Sequence, residues 1–142
     1  MPLCLAAGAL AATVAAQSFT LAWTHSIEKI RWEEDWRIAG DRLEITEARI
    51  RGSGAGMEPP AGAVLRAGIW HYRPAIAAQA ALRLTHSPHA AGYELCAEGP
   101  CRPLAELLPG LPENAVVEIA PCAASTATGR DNAVRPRIPP TR

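Results

Sequence analysis

The chain has no apolar run long enough to cross a bilayer as a helix. Its longest, Leu3 to Ala16 (LCLAAGALAATVAA), falls short of the roughly 20 residues that spanning needs. It has no excess of one charge: fourteen basic side chains balance fourteen acidic ones. That balance leaves no footprint for nucleic acid or for an anionic membrane surface. Lysine occurs once, as Lys29, and the other basic residues are arginine, which reads with the many alanines as codon bias. No Gly-x-Ser-x-Gly elbow is present, which argues against a serine hydrolase. No Lys-Ser/Thr follows the glycine-rich stretch, so it is not a phosphate loop. Its glycines, Gly52, Gly54 and Gly56, are evenly spaced, which does not fit a dinucleotide fingerprint either. No second paired cysteine cluster exists, which weakens a zinc site. No cofactor is implied.

What is present suits one β-rich domain. At 142 residues and 49% hydrophobic, the chain can bury a real core. Thirteen prolines and eleven glycines call for short elements and frequent turns. The expected architecture is all-β: a small sandwich or partly open barrel of about seven or eight antiparallel strands. The expected organisation is an apolar N-terminal segment or signal peptide over 1–17, one β domain over 18–122, and a disordered Pro/Arg-rich tail over 123–142. Val14-Ala15-Ala16 supplies small residues suited to signal cleavage, although no Lys or Arg precedes the run. The competing reading of the run is a buried first helix. An uncleaved N-terminus is the one route to membrane association.

Ser18 to Thr24 alternates, with Phe19, Leu21 and Trp23 on one face. Ile30 to Ile38 alternates more strongly. Ile30, Trp32, Trp36 and Ile38 face one way; Arg31, Glu33, Asp35 and Arg37 face the other, suited to solvent or cross-strand pairs. Glu34 falls on the apolar face, where a carboxylate needs a donor, a raised pKa or a place at the rim. A paired arginine is the plainer explanation of it. In Arg42 to Ile50 the apolar phase slips, which predicts a bulge near Thr46-Glu47. Ala63 to Arg73 reads as a hairpin about Ala67-Gly68, with Trp70 and Tyr72 on one face and Ile69 and His71 on the other. Leu82–Thr85, Tyr93–Cys96 and Ala115–Ala120 complete the strands, and Pro103 to Leu108 opens as one helical turn.

Two stretches, LAWTHSI and LRLTHSP, end in the same Thr-His-Ser corner. Such corners commonly satisfy turn backbone groups and nothing more. If they cap equivalent strands, His25 and His86 meet at one rim, where Glu28, Glu34 and His71 can join them. The candidate ligand-binding set is His25, Ser26, Glu28, Glu34, Gly54, Gly56, Met57 and His86. The hydroxyls, the imidazoles and a glycine-rich anion nest suit a small anionic solute. A metal held by His25, His86 and Glu34 is a second reading, and a metal-dependent enzyme follows from it. Catalysis with Ser26 as nucleophile would need His86 as base, because His25 and Ser26 point to opposite faces of a strand. A purely structural envelope protein is a third reading. Cys96 and Cys101 flank a turn and can pair; Cys122 is an alternative partner for either. With Cys4 removed alongside a cleaved signal, one thiol would be left free or bonded to a partner.

The stretch FTLAWTHSIEKIRWEEDWRI, followed by RGSGAGMEPP and WHYRP, resembles the DUF1850 family, a bacterial domain of unknown function. The match lies in His25, Ser26, Ile27 and Glu28, in Glu34 on the next strand, and in Gly54, Ala55, Gly56 and Met57; it extends over Phe19 to Cys122. The resemblance implies a small periplasmic or envelope protein, exported and encoded beside TAXI-type TRAP transporters. TRAP transporter subunits are therefore its expected partners, and solute binding, not chemistry, its expected role.

Overall fold

The computed structural model describes residues 2–24, 29–51, 60–87 and 92–122. Among these, the strands are β1 (Leu3–Ala7), β2 (Leu10–Val14), β3 (Ser18–Thr24), β4 (Arg31–Ala39), β5 (Arg42–Arg51), β6 (Val64–Arg66), β7 (Ile69–Tyr72), β8 (Leu82–Thr85), β9 (Glu94–Cys96), β10 (Cys101–Pro103) and β11 (Val116–Pro121). One helical turn, α1 (Leu104–Leu107), follows Pro103, which stands at its N-cap. Two antiparallel sheets result, in the orders β2-β1-β11-β8 and β10-β9-β3-β4-β5-β7-β6. Neither closes on itself, so the all-β fold is sandwich-like and not a barrel. Eleven strands replace the seven or eight expected, largely because the N-terminus adds two.

The apolar N-terminal run is neither a helix nor outside the fold. It is a hairpin whose turn holds Gly8 at φ +61°. Leu3, Leu5 and Ala7 alternate inward and are buried, and β1 pairs with β11 as well as with β2. Removing residues 1–17 would strip two strands from the smaller sheet. Cys4 also forms a disulfide with Cys122 across 118 positions. Cys96 and Cys101 form the second disulfide, between paired positions of β9 and β10. No cysteine is free, so the unpaired thiol expected after cleavage does not arise. Two disulfides fit an oxidising, exported environment. No helix among the described residues is long and apolar enough to cross a membrane. The tail over 123–142 lies outside the described residues.

One core joins the sheets. Leu3, Leu5, Val117 and Ile119 from the smaller sheet meet Phe19, Leu21, Trp36, Leu43, Ile45 and Leu95 from the larger, with Leu104 and Leu108 sealing one side. The bulge falls where the apolar phase slips: Asp35 pairs with Glu47 and Trp36 with Ile45, which leaves Thr46 as the extra residue. Thr46 Oγ1 donates to the Asp35 carbonyl at 3.2 Å. The β6–β7 hairpin turns on Ala67 and Gly68, both at positive φ, the backbone that a two-residue hairpin with right-handed twist requires.

Candidate functional site

At the Trp23 end of β3 the larger sheet carries a group of aromatic residues. On the inward face Trp23 pairs with Trp32 in register, and Leu21 pairs with Glu34 one step closer to the core. The Trp23 and Trp32 rings stack at 6.1 Å between centroids, 25° between planes. Tyr93, just before β9, tilts against Trp23 at 5.6 Å. Across β5, Ile50 separates Trp32 from Trp70, and Ala48 separates Glu34 from Tyr72. Trp23, Trp32, Glu34, Trp70, Tyr72 and Tyr93 are all half-buried, whereas Trp36 is buried. The six therefore form a half-buried patch between core and solvent, with Ala48 and Ile50 buried between its two sides.

Glu34 stands within it. The Trp36 indole N–H donates to Glu34 Oε1 at 3.0 Å. Burial raises the Tyr72 and Tyr93 phenols above their ordinary pKa, and the charge on Glu34 raises both further. That shared influence puts the carboxylate within electrostatic reach of both phenols.

The opposite face of the same sheet carries a dense ion-pair network. Glu33, only 8% exposed, accepts from Arg31 at 2.8 Å, Arg49 at 2.9 Å and Arg51 at 3.3 Å. Arg49 also binds Asp35 and Glu47, each at 2.7 Å, and Arg31 binds Glu94 at 3.0 Å. Burial alone would raise the Glu33 carboxyl, but the three arginines outweigh it and hold it at about 2. Asp35 is likewise lowered, burial being outweighed by Arg49 and the Thr20 hydroxyl. Strand alternation correctly assigns these charges to one face, but it misses the burial of Glu33. The legible signal was the run of acidic residues on β4 facing Arg49 and Arg51 on β5.

His71 belongs to this network. Its Nδ1 lies 3.2 Å from Glu47 Oε2. It pairs with Arg49, one residue out of phase with Tyr72, so it faces away from Glu34. His86 closes the end of β8, its N–H donating to Ala115 and its carbonyl accepting from Asn114. Its ring lies so close to Gly92 that a Cβ there would sit 3.5 Å from Cε1. Gly92 precedes Tyr93 in the chain, so His86 stands beside the segment that carries that ring. His25, Ser26, Glu28, Gly54, Gly56 and Met57 lie outside the described residues, although β3 ends at Thr24, beside Trp23. Among the described residues no three His, Cys, Asp or Glu side chains gather to hold a metal.

A family model described as Domain of unknown function (DUF1850) matches residues 19–104. That span holds β3 from Phe19 onward, β4 to β10 and all six side chains of the patch. No curated protein and no solved structure matches the chain.

Proposed function

The chain belongs to the DUF1850 family, and from that membership and the aromatic patch around Glu34 we propose that it is an exported solute-binding accessory of a TAXI-type TRAP transporter. The patch carries this reading. Five aromatic side chains and a carboxylate are held half-exposed at one end of the larger sheet. Stiff, amphipathic rings offer large contact area at low entropy cost, which suits recognition of a small molecule. The disulfides support an envelope location. The link to the transporter rests on what the family resemblance implies. In this reading residues 3–14 stay in the mature protein, because β1 is a central strand.

The test is tagged full-length protein, cross-linked in the envelope of its own cells and purified. TRAP subunits should be enriched, and solute uptake should fall in a strain carrying Trp23→Ala with Glu34→Gln. A monomer that carries no TRAP subunit, in cells whose uptake ignores both changes, would leave the structural envelope reading in its place.

A further inference from the structure

We propose that the Cys96–Cys101 bridge is a thiol–disulfide exchange site, opened and reclosed by a dithiol reductant while the rest of the fold stays intact. The inference goes beyond the solute-binding reading and does not depend on it. Three observations carry it.

The first is what stands beside the outer sulfur. Cys101 is exposed on β10, an edge strand that pairs with β9 alone. Arg31 donates through Nε to Glu33 at 2.8 Å and through Nη1 to Glu94 at 3.0 Å, which aims Nη2 at Cys101 Sγ, 3.7 Å away. Glu33 is shared with Arg49 and Arg51, so it does not use up the charge of Arg31. A guanidinium beside a sulfur favours the thiolate and makes it a better leaving group. The second is the way in. Cys96 is half-buried and lines a surface cavity of about 400 Å³ with Thr20, Asp35, Arg37 and Glu98. An incoming thiolate can reach Cys96 from that cavity while Cys101 departs beside Arg31.

The third is the contrast with the other bridge. Cys4–Cys122 is half-buried at both ends, starts on a central strand of the smaller sheet and spans 118 positions. Cys96–Cys101 spans 5, so opening it frees little chain. β9 still pairs with β3 through Cys96, Leu95 and Glu94, and Leu104 and Leu108 still hold the segment after β10 in the core. The exchange moves two electrons. A thiolate of the reductant attacks Cys96 Sγ and forms a mixed disulfide, and Cys101 leaves as a thiolate. The second thiol of the reductant loses its proton and attacks the reductant's own sulfur in that mixed disulfide. Cys96 leaves as a thiolate and takes up a proton, and the reductant departs as a disulfide. An oxidised partner of the same class runs the steps in reverse.

The experiment treats the purified, oxidised full chain with excess dithiothreitol at pH 7, quenches with iodoacetamide and locates the alkylated cysteines by peptide mass spectrometry. Cys96 and Cys101 should be freed together, about ten times faster or more than Cys4 and Cys122. Near-ultraviolet circular dichroism of that two-thiol form should keep its native signature, and oxidised glutathione should restore the bridge. Brief exposure to 2-mercaptoethanol with the same quench should trap its adduct on Cys96 and the alkyl group on Cys101. Cys96→Ser leaves Cys101 as a free thiol. Its alkylation should slow about threefold or more when Arg31→Gln is added, and should hardly change with Arg31→Lys. Equal rates for the two bridges overturn the inference. So do an adduct on Cys101 in place of Cys96, an alkylation rate indifferent to Arg31→Gln in a variant that circular dichroism shows to be folded, and loss of the native signature once the short bridge alone is open.

Discussion

Replacing Cys4 and Cys122 together with serine should be far more damaging than replacing Cys96 and Cys101. The first bridge closes a separation of 118 positions and the second a separation of 5. On the loop-entropy model the long closure stabilises by about 5 kcal/mol and the short one by about 2 kcal/mol. A domain of this kind has only about 5–15 kcal/mol in total, so the long closure accounts for a third or more of it. With a urea slope of about 1.5 kcal/mol per molar, the unfolding midpoint should fall by about 3 M for the first pair and about 1 M for the second. The assay is urea unfolding of the two double variants and the parent, followed by tryptophan fluorescence without reductant. Thiol titration of the unfolded parent should find no reactive cysteine. The reasoning fails if the first pair shifts the midpoint no more than the second, or if unfolded parent protein shows two thiols.

Four further outcomes follow from the geometry. Leu5, 1% exposed on β1, should cost about 3 kcal/mol as Leu5→Ala, measured by urea unfolding of the purified, oxidised protein. Intact mass should show residues 3–14 still attached; a mature chain starting near Ser18 with unchanged stability would contradict the hairpin. Folding depresses Glu33 from 4.5 to about 2 and lowers Asp35, so their stabilisation is full above the unfolded value and fades as pH falls through the folded one. Stability measured from pH 5 down to pH 2 should therefore decline, and Glu33→Gln, already weaker at neutral pH, should flatten that decline; an unchanged slope would refute the assignment. Tyr72 and Tyr93 should ionise above the ordinary tyrosine value, and Glu34→Gln should bring both part of the way back while burial keeps the remainder. Absorbance titration of the phenolates reads this directly, and identical curves for the two proteins would place Glu34 elsewhere.

The strands from Ser18 to Tyr72 were legible because their inward positions are large. Phe19, Leu21, Trp32, Trp36, Leu43 and Ile45 cannot be mistaken for their polar neighbours, and the slip at Thr46 shows in the phase. The N-terminal hairpin was not legible for the opposite reason. Alanine occupies both faces of Leu3–Val14, so a period of two hides inside a uniformly apolar run that also fits a signal sequence. The odd glutamate on the inward face of β4 was readable as an anomaly, yet its meaning depended on Tyr72 and Tyr93 from other strands. His71 was grouped with the other histidines by residue type, whereas strand alternation already turned it to the opposite side. The burial of Glu33 needed guanidinium groups from two strands converging on one carboxylate, which no single segment records.

The pairing of the first strand with the last has a consequence for how the molecule comes into being. A nascent chain released only as far as β8 holds Leu3, Leu5 and Ala7 ready but lacks the partner that covers them. The smaller layer cannot be finished vectorially, from front to back, while synthesis or translocation is under way. It is finished all at once, when Val116 to Cys122 emerges and slides between the N-terminal hairpin and β8. Oxidation of Cys4 with Cys122 then locks head to tail, so the clasp is the last part of the fold to close.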